Sequence, residues 1–414
     1  MKFKVSFIQA SSMGYAIAYL LLIGMLCSGV LFISSINSRL KILFELEEHM
    51  LFNNYLSLKY GANMKELYSN KIVHHSGDTT ILSKKQWGGF EVITAQTIHS
   101  GRKIVKSAFI GSKPSDDLIA LYLPDYNQTV KLCGNTKIEG TVFTSSRGFE
   151  RGHLSGAPYS GDQLNYGERF LSKKSLPPLN TSLSSTFLTE LINQAKELKH
   201  ISKDSTFLFT NETSILKSAN FLSINGDYSG NIIFHAMDSL VVESTAKLKN
   251  VLIVAPVIRF KGGFQGAVQA FATNKIICEE NVNLRYPSSL VLNESDLSLS
   301  THINQSFIEL RQGASVIGGV LLSSNNPNFR NPVRLIVDQA LIGGLVYNQG
   351  ETELKGEIIG SLYTSRLSLN YGGGSYSGHL LNAKISSLKL PKEFIMPDWL
   401  ESELLPSKRI VSCF

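Results

Sequence analysis

The stretch IGGLVYNQGETELKGEIIGSL, Ile342 to Leu362, carries the signal that decides the fold. It holds three copies of one phrase, apolar-x-Gly-x-apolar: Ile342-Gly-Gly344-Leu-Val346, Leu354-Lys-Gly356-Glu-Ile358 and Ile358-Ile-Gly360-Ser-Leu362. Such alternation belongs to strands, whose successive side chains face opposite ways, and the glycine marks a corner or a close backbone approach. Outward from there the phrase recurs at Phe264-Gln-Gly266-Ala-Val268, Ile317-Gly-Gly319-Val-Leu321 and Tyr376-Ser-Gly378-His-Leu380, with an early copy at Ile138-Glu-Gly140-Thr-Val142. Alternation continues between copies, as in Ser239-Leu-Val-Val-Glu243 and Lys275-Ile-Ile-Cys278. Short strands with glycine or asparagine corners are what stacked coils need. At about 20 residues per coil, residues 230–390 are expected to form roughly eight coils of a right-handed β-solenoid. The copies are unevenly spaced, so a β-sandwich is the alternative.

The rest of the chain agrees with a mainly β protein. It has 33 glycines, 43% hydrophobic and 18% charged residues, and 414 residues leave room for two or three cores. Residues 62–229 form a β-rich region, with runs such as Phe90-Glu-Val-Ile-Thr94 and Leu118-Ile-Ala-Leu-Tyr-Leu123 broken by turn residues. One interruption is expected near 187–198, where Phe187, Leu188, Leu191, Ile192, Ala195 and Leu198 share a helical face. The tail, 391–414, departs from the alternation and is expected to cap the last coil, whose edge and core need covering.

The N-terminus reads differently. No charged residue occurs between Lys4 and Arg39, and Met13 to Ile36 reads MGYAIAYLLLIGMLCSGVLFISSI. A hydrocarbon core of roughly 30 Å takes about 20 apolar residues in a helix, the form in which a lone span pairs all its backbone groups. Residues 13–36 are therefore expected to cross a lipid bilayer, with a cytoplasmic tail at 1–12. Lys2 and Lys4 precede the span; Arg39 and Lys41 follow it, but Glu45, Glu47 and Glu48 come soon after. That pattern favours an inner-membrane protein with its N-terminus inside and its body outside the cytoplasm. A cleaved signal peptide fits less well, because Leu-Phe-Ile continues beyond Cys27-Ser-Gly29, and a lipoprotein site would need a small residue where Leu26 stands. The apolar period then continues through Leu40, Leu43, Phe44, Met50, Leu51, Tyr55 and Leu58, predicting an amphipathic extension over 37–61 that packs on the body or a partner helix.

An apolar helix running on into an amphipathic half resembles the N-terminus of minor pilins and pseudopilins over about 50 residues. It departs from them in lacking the acidic residue typical of the pilin helix. Leu240 to Leu292, with its Ala255-Pro256, Gly263-Phe-x-Gly-x-x-Gln269 and Leu284-x-Tyr-Pro-Ser288 phrases, resembles single-span envelope proteins of Bacteroidota with a β-helical exterior. The later glycine-marked segment is similar to polymerising β-helices of the bactofilin type. These resemblances imply an envelope location and bring no activity with them.

Residues for chemistry are sparse. His74-His75 would point to opposite sides of a strand, and Glu150-Arg151-Gly152-His153 reads as a polar turn. Tyr371-Gly-Gly-Gly-Ser375 lacks the lysine and helix of a phosphate cradle. Cys27, Cys133, Cys278 and Cys413 have neither metal nor CxxC spacing; the sequence leaves one disulfide open and names no pair. No catalytic, cofactor or metal residues are assigned. The net charge of +7 comes from scattered bases with no run of five, which argues against nucleic acid. Two functions remain. One is a non-catalytic envelope structural or assembly protein that presents its β face to protein or glycan partners, pilus-like or secretion-associated. The other is a carbohydrate-active enzyme, polysaccharide lyase or hydrolase-like. Asp338, Glu351, Glu353 and Glu357 are the acidic cluster it would use.

Overall fold

The computed structural model describes residues 9–63, 70–75, 77–114, 117–154, 156–180, 185–294, 305–324, 332–400 and 407–413. The first eight residues, including Lys2 and Lys4 of the expected tail, lie outside the described residues. Helix α1 runs unbroken from Gln9 to Ala62, 54 residues. At 1.5 Å per residue it is about 80 Å long, well beyond what a bilayer core takes up.

After α1 come four strands in antiparallel succession: β1 (Asn70–His75), β2 (Asp78–Trp87), β3 (Phe90–His99) and β4 (Arg102–Lys113). Consecutive buried residues in β3 and β4, Phe90–Ile93 and Ser107–Ser112, give the sheet two apolar faces. Leu82, Ile93, Ala95, Ala108 and Ile110 meet Leu58 and Ala62 of α1. Trp87, Phe90, Val92 and Phe109 point the other way, into a second core shared with the remainder of the chain.

That remainder is dominated by one large parallel sheet. Leu240 pairs with Ile258, and Ile258 with Ile276, a step of 18 residues each time. The same row continues to Ile308 and Leu335. A neighbouring row passes through Phe234, Ile253, Ala270, Leu290, Val320 and Val346. All of these side chains are buried in one continuous core. Equal registers in parallel strands put like residues above one another, and each buried Leu, Ile or Val contributes about 1.5–3 kcal/mol. An antiparallel sandwich would not pair this way.

The expected limits of this region, 230–390, are too narrow at both ends. Parallel pairing begins at Lys196–Glu197. At the other end Leu362 pairs with Leu121, Leu121 with Val142, and Ile385 with Ile138. The early strands thus continue the rows after the late ones. The glycines follow: a Cβ on Gly360 would lie 2.1 Å from Gly344 O, and one on Gly344 2.1 Å from Gly318 O. Gly318, Gly344 and Gly360 have φ of +141°, +122° and +140°. Together they form a column of backbone corners too close for side chains.

From the early strands the chain returns lengthwise along the outer apolar face. Tyr347 Oη donates to Pro177 O at 2.8 Å, and Asn180 N to Trp399 O at 2.7 Å. Helix α2 (Ser185–Gln194) places Leu188, Leu191 and Ile192 on the same face. It is the helix expected near 187–198, shifted toward the N-terminus, because Lys196–Glu197 joins a strand instead.

The tail, expected as a cap, lies against the antiparallel sheet. Ser407–Cys413 adds to β4 in antiparallel pairing, and Met396 exchanges hydrogen bonds with Ser112. Trp399 is fully buried between Gly89 and Gly319. Apolar tail residues are taken up where two sheets meet, a deeper site than a sheet end. Charges seal this joint. Glu91 accepts from both Lys84 and Lys408 at 2.8 Å, and Lys408 also reaches Asp398 at 2.8 Å. Burial pulls the Lys84 ammonium below the ordinary lysine value, opposed by Glu91. For Lys408 burial acts the same way, but Glu91 and Asp398 outweigh it and hold the group above that value.

Candidate functional site

Two features of the surface bear on function. The first is α1 itself. Residues 13–42 are exposed along their whole length, and the apolar window within α1 has mean hydropathy 2.5 with none of it buried. By length and composition this half is able to span a membrane. The other half is fastened to the body. Met50, Asn53, Asn54, Ser57, Leu58, Gly61 and Ala62 are buried at three- and four-residue steps. A Cβ on Gly61 would collide with Ile93 Cδ1, so the helix sits on β3 at minimal distance.

Polar side chains fix the angle of that contact. Asn54 Nδ2 donates to Ala95 O at 2.9 Å and to Thr97 Oγ1 at 3.0 Å. Asn53 Nδ2 donates to Asp78 Oδ2 at 2.7 Å, while the Asp78 carboxylate also meets His99 Nδ1 at 2.5 Å and His49 Nδ1 at 3.4 Å. The Asp78 side chain has no solvent exposure, so its desolvation is offset by these partners. Such a network tolerates one register of helix on sheet and rejects neighbouring ones.

The second feature is a groove of about 980 Å³ on the parallel sheet. Its walls come from outward positions of successive strands. Asp227 is opposite Lys247, Gln265 opposite Asn283, and Thr206, Ser229, Lys249 and Ala267 form the adjacent row. Its floor is low because Ala246, Gly263, Gly266 and Ala267 carry little or no side chain. At 266 only glycine fits, since a Cβ there would lie 2.8 Å from Leu248 O. Tyr228 and Tyr286 flank the floor. Burial pushes both phenols up, and Tyr286 is further fixed by donating to Ile395 O at 3.1 Å.

Charge in the groove is divided. Lys247 Nζ binds Asp227 Oδ2 at 2.8 Å, and that hydrogen bond, then the Asp227 and Asp204 charges, hold its ammonium above the usual value. Lys249 and Arg285 have no carboxylate partner among the described residues. Arg285 donates to the neutral Gln265 Oε1 instead. Sequence reasoning missed this groove because its residues lie about 20 apart and become neighbours only through parallel pairing. Lys247, Gln265 and Arg285, one per strand step, were the available signal.

The residues weighed from sequence lie elsewhere. His74 and His75 stand on β1, the first exposed and contacting Thr79 Oγ1 at 3.3 Å. Glu150 and His153 are exposed, and Arg151 donates to Asp162 O at 3.1 Å. Tyr371 to Gly374 is a tight hairpin turn. Of the four acids, Glu353 is buried against Arg334 at 3.1 Å and Lys355 at 2.7 Å, and Glu357 binds Lys389 at 2.7 Å. Asp338 is exposed and Glu351 half-buried. Among the described residues no group of three or more His, Cys, Asp or Glu is placed to hold a metal. All four cysteines are free, so the disulfide left open by the sequence is absent.

No family model matches this chain, and no curated protein matches it. Among solved structures it is similar to the competence-associated pilin ComZ from Thermus thermophilus. Identity is 11%, covering 84% of this chain and 86% of that one, with a TM-score of 0.23. At that score the likeness is loose.

Proposed function

We propose that this chain is a membrane-anchored envelope scaffold, non-catalytic, whose parallel sheet is a β-solenoid held out from the bilayer for protein or glycan partners. The single observation behind this reading is the continuity of α1. One helix supplies an exposed apolar half sized for a bilayer and a second half locked to the body by Asn53, Asn54 and Asp78. The 18-residue steps from Ser239 through Val257 to Lys275, followed by longer ones in the same row, support the solenoid. Phe44, Leu51, Phe52 and Tyr55 remain exposed on the lower half of α1, which suits side-by-side packing of copies in a pilus-like assembly.

An enzyme acting on carbohydrate is the weaker reading. The groove contains two acids, Asp204 and Asp227, and both attend Lys247, where glycoside cleavage needs a free acid–base pair. Cys27 lies in the exposed apolar half and provides the test. In native membranes the chain is expected to resist alkaline extraction and to form a Cys27-linked dimer on mild oxidation, absent in Cys27→Ser. Extraction by alkali, or a strictly monomeric product, refutes the anchored assembly.

A further inference from the structure

We infer that the groove is a binding site for an extended polysaccharide bearing carboxylate groups. This rests on the scaffold reading and names the ligand class its outer surface takes.

The geometry favours a sugar chain over a peptide. The inner strands of the groove are hydrogen-bonded on both sides: Asp227–Gly230 lies between Ser205–Phe207 and Lys247–Val254, which in turn meets Gln265–Ala272. Among the described residues the one strand of the groove paired on a single side is Ser205–Phe207, a three-residue edge that is short for strand addition, the usual way an extended peptide gains main-chain bonds. The floor is made of small side chains and has no deep apolar pocket for an aromatic or leucine anchor. Hydroxyl, amide and charged groups instead repeat on successive strands, about 4.8 Å apart. A chain laid across the strands meets a fresh polar side chain at each step. Duplex or single-stranded nucleic acid would want a denser run of cations and no acids.

The charge follows from which ions are already paired. Asp227 and Asp204 both lie near Lys247, and the first binds it directly. Lys249 and Arg285 are left facing the groove without an acid. Two cations without an acid, beside walls carrying the hydroxyls of Thr206, Ser229, Ser244 and Thr245, match carboxylates carried on a polyhydroxyl chain. The guanidinium accepts a carboxylate in a two-bond fork, and Lys249 acts as a point charge.

Binding is read on the full chain in detergent micelles, by fluorescence anisotropy of a labelled alginate oligosaccharide. Cellohexaose serves as a neutral competitor and poly-glutamate as a peptide of equal charge. The expected result is saturable alginate binding that neither competitor displaces. Lys249→Ala and Arg285→Ala should each weaken it about tenfold, and Lys249→Arg should restore it. Both side chains are exposed, and unchanged circular dichroism confirms the fold. Absence of saturable binding, equal displacement by cellohexaose or poly-glutamate, or indifference to both alanine variants overturns the assignment. A chain that dimerises through Cys27 yet ignores alginate would lose this ligand and keep the scaffold role.

Discussion

Replacing Gly344 by alanine is expected to be among the most damaging single-methyl changes in this chain. The backbone there has φ of +122°, a region that L side chains rarely adopt, and entering it costs about 1–3 kcal/mol. The new Cβ would also lie 2.1 Å from Gly318 O and 3.1 Å from Phe394 Cε1. The close partner is backbone, fixed in the pairing of Gly318 with Gly344, so the ladder itself must shift. Overpacking of this kind adds about 1–3 kcal/mol, for a total near 4 kcal/mol. Gly263 is the internal control: its φ is +80°, but a Cβ there meets nothing within 4 Å. Gly263→Ala should therefore cost only the conformational part, about 1–2 kcal/mol. The chain has two tryptophans, Trp87 and Trp399, both fully buried where the sheets meet, so intrinsic fluorescence reports melting. At roughly 2 °C per kcal/mol, Gly344→Ala should melt about 5 °C below Gly263→Ala. Equal midpoints for the two variants would refute the close-packed column.

Three further outcomes follow from buried groups. Burial lowers the Lys85 ammonium to about 8, so the folded chain gives up this proton before the unfolded chain does. Its burden on stability is complete below pH 8 and lifts as pH rises toward the ordinary lysine value. The stability gap between the native chain and Lys85→Met should therefore change by about 2–3 kcal/mol between pH 7 and 10, and a pH-independent gap contradicts this. Burial also pushes the Cys278 thiol up and out of reach, whereas Cys413 is exposed. Maleimide should modify Cys413 in the folded chain and Cys278 only in denaturant; early reaction at Cys278 would show the core open. Asp78→Ala removes the buried carboxylate that Asn53 and His99 share and costs about 3 kcal/mol. Faster hydrogen exchange over 49–62, with 230–290 unaffected, is the expected signature, and a global increase counts against a local fastening.

How far the sequence speaks depends on the range of the interaction. The apolar half of α1 and its amphipathic continuation are local patterns, and Met50, Asn54, Leu58 and Gly61 fall at the spacing that one helical face requires. The repeated glycine phrase likewise marked Gly344 and Gly360, where the backbone does turn with positive φ. Pairing between distant segments left no such trace. Leu121 against Leu362 and Ile138 against Ile385 are ordinary strand residues whose alternation suits any partner. The tail misled for a related reason: Pro, Trp and Phe signal a need for cover, and nothing local says that Gly89 and Gly319 provide it. The groove was hidden because chemistry spread over residues 204–286 is gathered by register alone.

The joining of early and late strands has a consequence for biosynthesis. The segment 119–171 leaves the ribosome long before 357–386, yet its outer edge is completed only by them. Throughout that interval the nascent protein presents unsatisfied amide and carbonyl groups beside an apolar layer, an invitation to intermolecular pairing. Translation halted before residue 357 would yield a product prone to clump, whereas the finished polypeptide hides the same surface within itself.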